Sequence, residues 1–70
     1  MRALADQLRD AGALRTAGRW REAEVAYKRI LSRTPELADT WYNLGFVQRQ
    51  LGRFEAALQS YETALSRGVG

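Results

Sequence analysis

Apolar residues recur along this chain at the three- and four-residue steps of an α-helix. Leu4, Leu8, Ala11 and Leu14 mark a first helix, and Gly18 supplies its stop. Trp20, Ala23, Tyr27, Ile30 and Leu31 mark a second. Thr34-Pro35-Glu36 then offers a hydroxyl for an N-cap, a proline for a first helical position and an acid for the helix dipole, which predicts a third helix starting there. Trp41, Leu44, Gln48 and Leu51 form the expected buried stripe of that helix, with Gly45 as a flat spot, and Gly52 closes it as Gly18 closed the first. A fourth helix is predicted from about Phe54 to Ser66, with Phe54, Ala57, Leu58, Tyr61, Ala64 and Leu65 turned inward. Connections of about one to four residues force successive helices to run antiparallel.

The chain also matches itself at an offset of 34 residues. Arg15, Gly18, Arg19, Ala23, Tyr27 and Leu31 recur as Arg49, Gly52, Arg53, Ala57, Tyr61 and Leu65, and Trp20 is answered by Phe54. A period of that length implies a repeat architecture in which each unit buries its apolar face against its neighbour. The expected fold is all-α: two antiparallel helix-turn-helix hairpins in one domain over residues 1–70, the first over about 4–34 and the second over about 35–68, with residues 68–70 as a frayed tail. Gly45 and Ala57 fall on the facing stripes of the third and fourth helices, where small residues permit a close approach of the axes, and Ala11 and Ala23 play the same part in the first hairpin.

Trp41-x-x-Leu44-Gly45, followed by Gly52, Phe54, Ala57, Tyr61 and Ala64, resembles the tetratricopeptide repeat, as do Gly18, Trp20, Ala23, Tyr27 and Pro35 one period earlier. The resemblance is degenerate in the first helix, where Gln7, Asp10 and Ala11 stand in the places of Trp41, Leu44 and Gly45. It implies a short α-solenoid whose concave groove is lined by the first helix of each hairpin. Asn43 matches an asparagine with which carboxylate-clamp members hold a C-terminal carboxylate. Arg9 occupies the corresponding place in the first repeat and no third repeat supplies the remaining cations, so a clamp is not expected.

Composition narrows the chemistry. There is no histidine and no cysteine, so the chain lacks an ordinary general base near neutral pH, a strong nucleophile, a disulfide and a thiolate metal site. No catalytic, cofactor-binding or metal-ligating residue is assigned, and an enzyme is not expected. Asp6 and Asp10 lie one turn apart, but Arg2 and Arg9 sit within one turn of Asp6 to pair with it, and Glu22 and Glu24 diverge. The glycines lack the spacing of a phosphate-cradling loop.

Residues 1–34 hold eight Lys or Arg against four Asp or Glu, and residues 35–70 hold three against four, so the first repeat is basic and the second slightly acidic. The cations are interspersed with acids and have no aromatic platform among them, which disfavours nucleic acid as a partner. No apolar run approaches the roughly 18 residues of a membrane span. The acid at Asp6 is unlike a signal peptide, so the expected compartment is the cytoplasm.

Function is therefore expected on surfaces, with a protein or peptide as partner. Asp39, Tyr42, Asn43, Phe46, Arg49 and Gln50 recur on the third helix opposite its buried stripe, and Leu8 and Arg15, with Ala5, Arg9 and Gly12, extend that face into the first repeat. An exposed Tyr and Phe beside an amide and a guanidinium suit capture of an extended peptide or a helix. The other reading is that Tyr42 and Phe46 pack on the second helix or at a subunit contact. Two repeats are few for a stacked array, so Leu58, Ala64 and Leu65 are expected to be partly uncovered on the fourth helix. A self-association unit, giving a dimer or a higher homo-oligomer, and an N-terminal repeat segment of a larger multidomain protein are the alternative functions.

Overall fold

The structure, a computed structural model, describes residues 2–68. Its four helices follow in the order α1 (Leu4–Thr16), α2 (Trp20–Arg33), α3 (Ala38–Gln50) and α4 (Phe54–Ser66), with no strand among the described residues. Of the expected frayed tail, Val69 and Gly70 lie outside the described residues, and Gly68 belongs to the turn that leaves α4.

None of the helices has a side-chain hydrogen bond at its N-cap. Each instead carries an acid in its first turn, Asp6, Glu22, Asp39 and Glu55, where the helix dipole favours negative charge by about 0.3–1 kcal/mol. Arg15, Arg33 and Arg49 complement the opposite ends of the first three.

Both turns inside the hairpins are Schellman motifs. Gly18 adopts φ 74° and Gly52 φ 78°, a left-handed backbone that favours glycine. The Arg19 amide donates to the Leu14 carbonyl and the Gly18 amide to that of Arg15; Arg53 and Gly52 repeat the pattern with Gln48 and Arg49. Arg19 and Arg53 then serve as the N-caps of α2 and α4, so each chain reversal is complete within three residues.

The connection between hairpins departs from expectation. Thr34 is not an N-cap, and α3 begins at Ala38, after Leu37. Thr34 has left the helical region (φ −133°, ψ 71°), which the residue before a proline disfavours, and Thr34 to Leu37 form a turn in which the Leu37 amide donates to the Thr34 carbonyl at 3.4 Å. Pro35 therefore sits at the second turn position, which suits its fixed φ as well as a first helical position would. The Trp41 indole N–H donates to the Pro35 carbonyl at 2.7 Å and ties α3 to this turn.

Helices pack neighbour on neighbour, α1 on α2, α2 on α3 and α3 on α4. Ala11, Ala23, Tyr27, Ile30, Leu31, Leu44 and Val47 form the core, with Trp20, Trp41, Phe46 and Leu51 partly buried against it. The expected stripe of α3 is shifted: Thr40, Leu44, Gly45, Val47 and Gln48 are buried, while Trp41 and Leu51 are half-buried. On α4 the inward residues are Ala57, Ser60 and Ala64. Phe54, Leu58 and Leu65 are 67%, 58% and 64% exposed, which corrects their inward assignment and agrees with the expectation that Leu58 and Leu65 are uncovered; they form a second stripe with nothing across from it among the described residues. Ala64 is 1% exposed, so it lies under α4 and not on its open side.

The close approach of α3 and α4 is as expected from the small residues. A Cβ added at Gly45 would lie 2.9 Å from two atoms of the Tyr61 ring and 3.2 Å from the Ala57 carbonyl oxygen, whereas one added at Gly12 would meet nothing within 4 Å. Alanine at either site gains helix propensity of about 1 kcal/mol, but at Gly45 the overlap costs about 1–3 kcal/mol. Gly45→Ala should lower the melting temperature and Gly12→Ala raise it, by about 4–8 °C per kcal/mol for a domain of this size. Thermal unfolding followed by circular dichroism checks both signs.

Candidate partner-binding site

The concave side of the stack is a groove between α1 and α3. Leu8, Gly12 and Arg15 line it from α1, Ala38, Asp39, Thr40 and Asn43 from α3, Tyr27 from its floor, and Gly68 from the turn after α4. The helical period places these side chains together, since Leu8, Gly12 and Arg15 step along one face of α1 while Asp39 and Asn43 stand one turn apart on α3.

Arg15 is the most distinctive residue of the groove. Its Nε is buried and has no hydrogen-bond partner. Its guanidinium lies beside the Tyr27 hydroxyl, which burial pushes above its ordinary pKa of 10.0 and which Arg15 partly pulls back. Glu36 and Asp39 add negative charge to the opposite wall, so the groove offers both signs over an apolar base.

Of the residues expected to bind a partner, Leu8, Arg15, Asp39 and Asn43 converge on this groove, and Tyr42, Phe46, Arg49 and Gln50 do not line it. Phe46 is half-buried and packs edge-on against Trp20 of α2, with ring centroids 6.0 Å apart. Tyr42 is 53% exposed, yet its ring leans on Tyr61 of α4 at 5.3 Å. Phe46 thus packs on the second helix, the second of the two readings open to it, whereas Tyr42 packs on the fourth helix. Arg49 and Gln50 are exposed near the end of α3. Ala5 and Arg9 are exposed, and Arg9 is paired with Asp6 at 2.8 Å, as Arg2 is with Asp10.

One cluster went unrecognised in the sequence. Glu24 is 5% exposed at the seam between the hairpins. Its carboxylate accepts from the Arg53 guanidinium at 2.6 Å, with Lys28 Nζ and Gln48 Nε2 each at 3.5 Å; Gln48 in turn accepts from the Ser60 hydroxyl at 2.6 Å. Glu24 sits beside Ala23 on the inward side of α2, and its counterpart 34 residues on is Leu58. That exchange of an acid for a leucine was the available signal. The buried carboxylate links α2, α3 and α4 through the turn residue Arg53.

Paired antiparallel helices recurring every 34 residues, with a concave groove between the first helices of the pairs, define a helical-repeat protein of the α-solenoid class. Residues 38–67, the second hairpin, match the family model of the tetratricopeptide repeat, and the four-helix architecture is consistent with repeats of that kind. No curated protein and no solved structure matched the chain. The family's repeat is in general a protein–protein interaction motif. No helix among the described residues is long and apolar enough to cross a membrane.

Two predictions follow from the buried groups. Folded Tyr27 keeps its proton above the pH at which the unfolded chain releases it, so its contribution to stability is intact below pH 10.0 and falls as pH rises through the raised value. Tyr27→Phe should flatten the alkaline decline of the urea midpoint between about pH 9 and 11. Arg53→Ala leaves the Glu24 carboxylate without its shortest contact and should cost about 1–3 kcal/mol; adding Glu24→Gln should restore part of that loss, read from a denaturation cycle of the two substitutions.

Proposed function

We propose that the chain is a non-catalytic protein–protein interaction module of the cytoplasm, and that it takes a peptide or helix of its partner into the groove between α1 and α3. The observation that carries this reading is the convergence of Leu8, Arg15, Asp39 and Asn43 on one open groove. A partner carboxylate or carbonyl pairs with the accessible part of the Arg15 guanidinium, while Asn43 supplies both a donor and an acceptor to an incoming backbone and Leu8 an apolar contact. Desolvated arginines of this kind are the type of residue on which binding free energy concentrates. The exposed stripe of Phe54, Leu58 and Leu65 favours a second reading, self-association, through a different surface.

Selection from a displayed random-peptide library against the 70-residue chain tests the groove. Enriched peptides should bind the unaltered chain and lose about tenfold or more in affinity to Arg15→Gln, with a smaller loss to Asn43→Ala and no change in oligomeric state. Peptides that bind both variants as they bind the unaltered chain, or a selection that enriches nothing, would remove the groove as the site.

A further inference from the structure

The same repeat position is buried or exposed in this chain according to whether a hairpin lies beside it. On α2, Glu24 and Leu31 are each 5% exposed, whereas their counterparts on α4, Leu58 and Leu65, are 58% and 64% exposed. On α3, Val47 is fully buried, and its counterpart on α1, Ala13, is exposed. The open side of α4 and the open side of α1 are thus the two halves of the interface that α2 and α3 already make.

Those halves differ from the internal seam in a matched way. Inside the seam, Glu24 meets Gln48 at 3.5 Å and Trp20 meets Phe46. Carried one period outward, the first contact pairs Leu58 with Leu14 of a second copy, so that a polar pair becomes an apolar pair on both sides at once. The second pairs Phe54 with Gly12, where open space around the glycine leaves room for the ring. The seam's third contact, Arg53 with Glu24, has Arg19 and Leu58 as its outward equivalents. Arg19 needs no carboxylate across the interface, because its own Glu22 holds it at 2.7 and 2.8 Å. In the second repeat Ala56 stands at the place of Glu22, which leaves Arg53 to reach Glu24. The basic first repeat and the slightly acidic second repeat favour the same juxtaposition.

We infer that a second copy of this chain docks head to tail, α1 of one copy packing on α4 of the other as α3 packs on α2, with Leu58 against Leu14 at the centre. The contact is heterologous, so every added copy presents a fresh α4 and assembly proceeds beyond the dimer. It meets the groove at Gly12 and has Leu58 and Leu14, which do not line the groove, at its centre, so Arg15→Gln leaves it intact.

Sedimentation velocity of the 70-residue chain over a wide concentration range tests this, with Leu58→Glu and Ala13→Glu as variants. Both positions are exposed, and circular dichroism verifies that helicity is retained. The unaltered chain should grow past the dimer with concentration, and each variant alone should associate at least about tenfold more weakly. An equimolar mixture of the two variants should form a one-to-one complex and stop there, because one supplies an intact α4 and the other an intact α1. A chain that stays monomeric at every concentration overturns the inference. So does an Ala13→Glu variant that dimerises as well as the unaltered chain while Leu58→Glu fails in every mixture, since that pattern belongs to two α4 faces meeting about a two-fold axis.

Discussion

The left-handed backbone at Gly18 and Gly52 is the constraint from which the larger architecture descends. Each glycine lets the chain satisfy the last carbonyls of one helix with the amides of the turn and begin the next helix within three residues. A reversal that short leaves successive helices no choice but to lie antiparallel and in contact. The contact can be tight only where one axis carries little bulk. In the second hairpin that place is Gly45, whose missing side chain leaves room for the Tyr61 ring; in the first, the fully buried Ala11 and Ala23 serve the same end.

Joining one hairpin to the next is a separate problem, and this chain solves it with charge. Apolar packing of Tyr27, Leu31, Leu44 and Val47 brings α2 and α3 together without fixing how far one slides along the other. The Glu24 carboxylate, reached by Arg53 from the turn before α4, is satisfied in one register and stranded in others. The arginine after each turn glycine therefore has two uses. Arg19 braces its own helix through Glu22, and Arg53 reaches back to the previous hairpin.

Much of this was legible in the residues. The 34-residue match, the four helices, the stops at Gly18 and Gly52 and the bounds of α4 all depend on local spacing, and local spacing is what a sequence displays. The late start of α3 was missed because Thr34 and Pro35 serve a β-turn as readily as an N-terminus, and the choice depends on Trp41 reaching back to the Pro35 carbonyl. The inward assignment of Phe54, Leu58 and Leu65 failed for a different reason. An apolar stripe announces that it can be covered, and whether it is covered depends on what stands beside it. Leu8, Arg15, Asp39 and Asn43, four of the eight residues expected to meet a partner, line one groove, because helical spacing puts each pair on one face of its helix. The destinations of Phe46 and Tyr42 depended on Trp20 and Tyr61, which are distant in sequence.

The two indoles lie at the junction of the hairpins. Trp20 rests against Phe46 across the seam, and Trp41 is bonded to the turn that joins the hairpins. Intrinsic fluorescence of this molecule consequently reports on one plane of the stack. The parting of α2 from α3 would take Trp20 from Phe46 and so change that emission.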